Sequence, residues 1–168
     1  MTGTGTLYDR ILAGNAQLRR AGTHLVPALL HGPDTDEEIR RCADAAAELL
    51  RLHRRHHRGL GPLFAPWVIA AAGERGGSLC DLSAEHLLLD YQADQADAGL
   101  VRLRDPGQGP YSGDRGGELL VLAAVFDLLR RTTEAHLDEE ELRLGELLPS
   151  LDRASLQGLD AELETMLG

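Results

Sequence analysis

The stretch Thr133-Glu-Ala-His-Leu-Asp-Glu-Glu-Glu-Leu-Arg-Leu-Gly-Glu-Leu-Leu-Pro149 decides how this chain is read. Its apolar positions recur every three or four residues, the period of a helix with one buried stripe. The pattern reaches back to Glu118, so a helix is expected over residues 118 to 148. His136 and Glu140 then stand one turn apart on the same face. At that spacing one helix can offer an imidazole and a carboxylate to one metal ion, and these ligand types suit iron and other divalent first-row metals. Taken alone, the acidic run Asp138 to Glu141 also has the composition of a solvated face. Matching ligands on other helices decide between the two readings.

Working outward, helical periodicity appears in three more places. The first runs from about Leu7 to Leu30, with Ile11, Asn15, Leu18, Gly22, Leu25 and Leu29 on one stripe. Gly32-Pro33-Asp34-Thr35 stops it, and Asp34 or Thr35 can cap the next helix, whose first turn carries Asp36, Glu37 and Glu38. The second helix places Ile39, Cys42, Ala46, His53, His56 or His57, Leu60, Phe64 and Trp67 on one face, with Gly59, Gly61, Pro62 and Pro66 breaking or kinking its last part. After the glycine-rich segment 73–77 a third helix is expected from Leu79 or Asp81 to Arg102, with Leu82, His86, Leu89, Ala93, Ala96 and Leu100 inward. Residues 105–117 read as a long loop without a phosphate-cradling pattern, and residues 151–167 as a short tail helix. Period-two alternation is absent, and β-branched and aromatic residues are few, which excludes a sheet. The expected fold is all-α: an antiparallel up-down-up-down four-helix bundle over about residues 7–149 with a C-terminal tail at 150–168, in one domain spanning residues 1–168.

Composition narrows the function. The chain has 168 residues, 43% of them hydrophobic, enough for one sizeable core. A formal charge of -10 argues against nucleic acid, because phosphate contacts need clustered cations. No run approaches the roughly 18 apolar residues needed to span a bilayer, so no membrane is expected, and the N-terminus carries no export signal. The expected compartment is the cytoplasm. Cys42 and Cys80 form no Cys-x-x-Cys pair and read as small buried residues. All seventeen basic residues are arginine, a hint of a high-GC bacterial coding sequence. The sequence sets no oligomeric state.

The histidines gain meaning from position. His53, His56, His86 and His136 fall on or beside the apolar stripes of three helices, and antiparallel packing brings His86 and His136 to similar height. Asp90 follows His86 by four residues as Glu140 follows His136. A repeated His-x-x-x-acid pair is what a carboxylate-containing metal site in a bundle core requires.

The segment His136-Leu-Asp-Glu-Glu140 with Leu147-Leu148-Pro149 resembles the last helix of hemerythrin-like proteins, the cation-binding domains named for a His-His-Glu motif. His53-Arg-Arg-His56-His57 followed by Leu63-Phe64-Ala-Pro66-Trp67 is similar to the second helix of that family, and Ala84-Glu85-His86 to the third. The resemblance covers about residues 7 to 149. It implies a bundle holding two non-haem irons through histidines and carboxylates, and a small diatomic or oxidant ligand: oxygen, peroxide or nitric oxide. Position by position, His136, Glu140, His86 and His56 match its ligands. Leu60 takes the place of a bridging carboxylate, Asn15 that of the first helix's histidine, and Asp90 that of a further histidine in some members. His53 and His57 form another i, i+4 pair that a one-turn shift would bring into the site. The expected cofactor is therefore one iron or an asymmetric pair, with manganese or zinc as alternatives. The candidate metal ligands are His56, His86, His136, Glu140, Asp90, His53 and His57. An oxygen-handling carrier or sensor is the first functional expectation. An iron-dependent oxidative enzyme acting on a small-molecule substrate near Leu60, Trp67 and the 105–117 loop is the second, and a metal-free helical interaction module the third.

Overall fold

The computed structural model describes residues 4–33, 35–59, 65–79, 82–104 and 115–167. Every regular element among them is helical: α1 (Thr4–Leu30), α2 (Asp36–Gly59), α3 (Ala65–Ala72), α4 (Leu82–Arg104), α5 (Arg115–Leu147) and α6 (Arg153–Leu167), with single stretches of 3-10 helix at Gly73–Leu79 and Leu148–Ser150. Leu60, Phe64, Cys80, Asp34 and most of the expected 105–117 loop lie outside the described residues.

Local chemistry sets the helix ends. Gly32, at φ +68°, ends α1 in the left-handed conformation that glycine adopts without a Cβ penalty. Its amide donates to the Leu29 carbonyl, and the His31 amide donates to that of Pro27. Three residues on, Thr35 opens α2 with a capping box. The Glu38 amide donates to Thr35 Oγ1 at 3.2 Å while Glu38 Oε2 accepts from the Thr35 amide at 3.0 Å. Asp152 caps α6 by accepting from the Ser155 amide at 2.8 Å.

The four long helices each have two long neighbours: α1 packs on α2 and α5, and α4 packs on the same two. α6 lies against α1, α2 and α3, tied down by Arg10 to Asp160 and Glu164 and by buried Leu156, Leu159 and Leu163. The expected tail is thus part of the packed body. Trp67 departs from its expected inward place and is 51% exposed, whereas Val68 beside it is sealed. The reason is phase: α2 ends at Gly59 and α3 begins at Ala65, so the stripe of one cannot be extrapolated to the other. Cys42, the inward stripe of α1, and that of α4 apart from the partly exposed His86 are buried as expected, as are His136 and Glu140 on α5.

Apolar burial is split into two clusters. One centres on Leu25, Leu50, Leu89, Phe126 and Leu129, and the other on Leu7, Ile11, Val68, Leu82, Leu144 and Leu163. Between them along the helices come Asn15, His53, His56, His57, His136 and Glu140, all buried. The polar layer is sandwiched between two dry plugs.

Candidate metal centre

α2 supplies three of the layer's imidazoles. His53 and His57 are one turn apart and their ring centroids lie 4.0 Å from each other. His56, one residue before His57, turns toward α5, its ring 6.2 Å from that of His136. α4 contributes His86, whose ring is 4.5 Å from His136 and 4.8 Å from His57. α5 contributes His136 and Glu140. Five rings and one carboxylate from three helices therefore meet in one place.

The carboxylates outside this group aim the rings. Asp90 Oδ1 lies 2.7 Å from His57 Nδ1, and Glu85 Oε2 lies 2.9 Å from His136 Nδ1. An acceptor at Nδ1 places the ring proton there, and the Nε2 lone pair is left facing inward. Asn15, at the position where the resemblance implies a histidine, is fully buried. Its Nδ2 donates to Glu141 Oε1 at 3.1 Å and approaches Glu140 Oε1 at 3.4 Å. Glu141 is in turn held by Arg19 at 2.6 Å, so it is already neutralised and Glu140 alone brings a negative charge into the layer.

Buried polar atoms are normally paired, and leaving one unpaired costs about 1–3 kcal/mol. Here Nε2 of His53, His56, His57, His86 and His136 all lack a partner, as do His53 Nδ1 and Asn15 Oδ1. The Nε2 atoms of His56 and His136 lie 3.4 and 3.8 Å from Glu140 Oε2, too long for good hydrogen bonds. Two ligand atoms each about 2.1 Å from one ion are separated by about 3.0–3.4 Å at octahedral to tetrahedral angles; the His56 contact falls at that separation and the His136 contact is about 0.4 Å wider. Three overlapping groups have donor atoms within 4.8 Å of one another: His57, His86 and His136; His53, His57 and Asp90; and His56, His136 and Glu140. These groups, of which His56, His136 and Glu140 are buried throughout, could hold a metal ion.

Protonation favours the same use. Burial, reinforced by neighbouring imidazoles, pushes His53 down to about 3 and His86 to about 4, and places His57 far below the ordinary range. Burial also opposes the charge on Glu140, but contacts with His56, His136 and Asn15 outweigh it and hold the carboxyl below its usual range. Neutral imidazole and ionised carboxylate are the coordinating forms.

All seven candidate ligands are thus brought to the layer or its edge. Asp90 differs from the rest, being half exposed and bonded to His57. Glu85 is the contributor that sequence reasoning left without a role. Its partner His136 lies 51 residues away, and only its place beside His86 gave any signal. Tyr91, next to Asp90, is at the surface and 62% exposed. No helix among the described residues is long and apolar enough to cross a membrane. Comparison of the chain with protein-family models, with curated proteins and with solved structures finds no match.

Proposed function

We propose that this chain is a hemerythrin-like non-haem iron protein that holds one iron in an altered site and meets a small oxidant there: oxygen, peroxide or nitric oxide. The up-down-up-down arrangement belongs to the same proposal. Its support is the order of cross-helix contacts, in which His57 meets Asp90 while Arg104 meets Asp44, and Asn15 meets Glu141 while Gly22 faces Arg130. Residue numbers fall along one helix as they rise along its neighbour.

The observation that carries the metal reading is the clustering of five buried, unpartnered Nε2 atoms in one layer, two of which, those of His56 and His136, face the ionised Glu140. A helical interaction module has no use for that arrangement, because leucine at the same positions would be more stable. One ion is favoured over two by charge. Two divalent cations would place four positive charges in a layer whose one buried carboxylate among the described residues is Glu140, whereas bridging carboxylates are what offset the repulsion between such cations. His136 also has a single Nε2 lone pair, so it serves one ion although it belongs to two of the donor groups. His136, Glu140 and His56, with His57 and His86, would hold the iron. Glu85 and Asp90 would orient His136 and His57, and the two apolar clusters would keep water out. Bound iron would supply a one-electron redox centre able to accept a small ligand at an open position.

Elemental analysis of protein purified after iron-supplemented expression tests the reading. About one iron per chain is expected, with His136→Ala losing it. Iron, manganese and zinc all near zero, with stability unchanged in His136→Ala, would overturn it. Oxygen added to the ferrous protein then separates carriage from catalysis: reversible spectral change marks a carrier, and irreversible oxidation dependent on an added organic compound marks an enzyme. The enzyme reading is favoured by one feature, a cleft that ends on His56.

A further inference from the structure

Among the described residues ten large hydrophobic side chains are exposed, and seven of them stand on one pair of neighbouring helices. Leu87, Leu88, Tyr91 and Val101 belong to α4, and Leu120, Val121 and Leu128 to α5. The described part of α2 exposes none, and its outward side carries Arg40, Glu48 and Arg51 in ion pairs instead. Gly99 approaches Leu122, and Glu85 reaches His136. Ala98 and Val101 of α4 are therefore level with Ala124 and Val121 of α5, which makes one apolar face of the two helices. A helix that is apolar on its outer as well as its inner side is normally covered on both, and a continuous exposed patch marks a contact surface.

The order of residues along α4 says what covers it. Leu87, Tyr91, Asp94, Ala98 and Val101, all exposed, follow one another at spacings of four, three, four and three, the heptad seam of one helix lying along another. Charge is divided along the same helix, with Glu85, Asp90, Asp94 and Asp97 in its first part and Arg102 and Arg104 at its end. Such a helix is complementary to itself reversed. We propose that the α4–α5 face joins a second copy of this chain in a two-fold dimer, with α4 antiparallel to the α4 of the second copy. The two-fold axis makes each contact twice. Tyr91 meets the partner's Val101, and Asp94 meets the partner's Ala98, whose small side chain leaves the carboxylate within reach of the partner's Arg102. Asp90, flanking the seam, faces the partner's Arg104. Asp97 comes nearest its own counterpart at the axis, where Arg54 of the same chain already holds it at 2.8 Å. Parallel pairing would bring the acidic parts of both helices together, and like charges in contact oppose association. An unrelated partner would have to reproduce the reversed order of apolar and charged positions, which a second copy has by identity. Nothing in this rests on the metal reading.

Sedimentation of the full-length chain tests it. A species of twice the 18.2 kDa chain mass is expected. Tyr91→Glu combined with Val101→Glu is expected to weaken association at least ten-fold, with helix content by circular dichroism retained because both side chains are exposed. Charge reversal separates a built interface from a merely sticky one. Arg102→Glu sets acid on acid and Asp94→Arg sets base on base, so each variant alone is expected to associate at least five-fold more weakly at low salt. Mixed in equal amounts they again present opposite signs at both ends, and a heterodimer of near-parental affinity is expected. A chain that stays monomeric at millimolar concentration, unchanged association in the Tyr91→Glu and Val101→Glu variant, or no gain on mixing the charge variants overturns the proposal. A monomer that instead binds phosphatidylcholine vesicles, and loses them with the same two substitutions, gives the face to a lipid surface and overturns it as well.

Discussion

A neutral imidazole has one lone pair, and at His57 and His136 a carboxylate decides which nitrogen keeps it. Removing that carboxylate should therefore loosen the metal without loosening the fold. Glu85 is 45% exposed in its side chain, so Glu85→Ala is expected to leave the melting temperature within about 1 °C while lowering metal affinity roughly 10–100-fold. Competition with a chelator of known affinity measures it, and an unchanged constant would mean that Glu85 only decorates the surface. Glu140 makes the opposite prediction for the metal-free protein. Its carboxylate is buried with one long contact to Asn15 and two to imidazoles, so Glu140→Gln removes a buried charge at constant shape. The metal-free variant should be at least as resistant to urea as the parent yet bind no iron; a large loss of stability would identify Glu140 as a structural residue. At this scale the sequence was informative about His136 and Glu140, because helical periodicity puts them on one face. Glu85 and the orientation of each ring were not visible, since they depend on contacts between helices.

Helix ends are local events, and here they agree with their sequence signals. Thr35 and Glu38 satisfy each other's backbone and side-chain groups at the start of α2, the helix that carries His53, His56 and His57. Thr35→Ala is expected to cost about 1 kcal/mol, which for a chain of this size lowers the melting temperature by about 2–4 °C. Metal content should not change, because the cap is more than four turns from His53; loss of iron in this variant would show that the register of α2 depends on its first turn. The signals for Gly32 and Thr35 were legible because a turn and a cap each involve only a few neighbouring residues. Trp67 was misplaced by the same kind of reasoning. Its expected inward position assumed that one helical phase ran through Gly59, Gly61 and Pro62, and the interruption between α2 and α3 resets that phase. The docking of α6 was equally hidden, because Arg10 meets Asp160 and Glu164 only after the chain has returned along the whole bundle.

For the molecule as a whole, the polar layer between two apolar clusters is a liability that a bound metal ion would remove and that acid exposes. His53 and His57 are neutral well below the unfolded value of about 6.5, and His86 down to about 4. Their folded values are depressed, so between about pH 6.5 and 4 the unfolded chain takes up protons that the native metal-free protein refuses. Stability is therefore full above about pH 7 and falls as the pH drops. Between pH 7.5 and 5.5 the loss is expected to be about 1.4 kcal/mol for each of His53 and His57 and less for the partly exposed His86. Urea unfolding of metal-free protein at several pH values measures this slope. Replacing His53 and His57 together by leucine should flatten most of it and raise stability at pH 5.5, since the unpartnered His53 ring and a His57 ring with an unpaired Nε2 give way to apolar side chains. Bound iron should act differently, stabilising the native state by mass action at neutral pH and losing that contribution on acidification as protons compete for the imidazoles. A metal-free protein whose stability is flat from pH 7.5 to 5.5 would mean that the imidazoles find hydrogen-bond partners in solution. The five-histidine layer would then be a satisfied core rather than a site held ready for an ion.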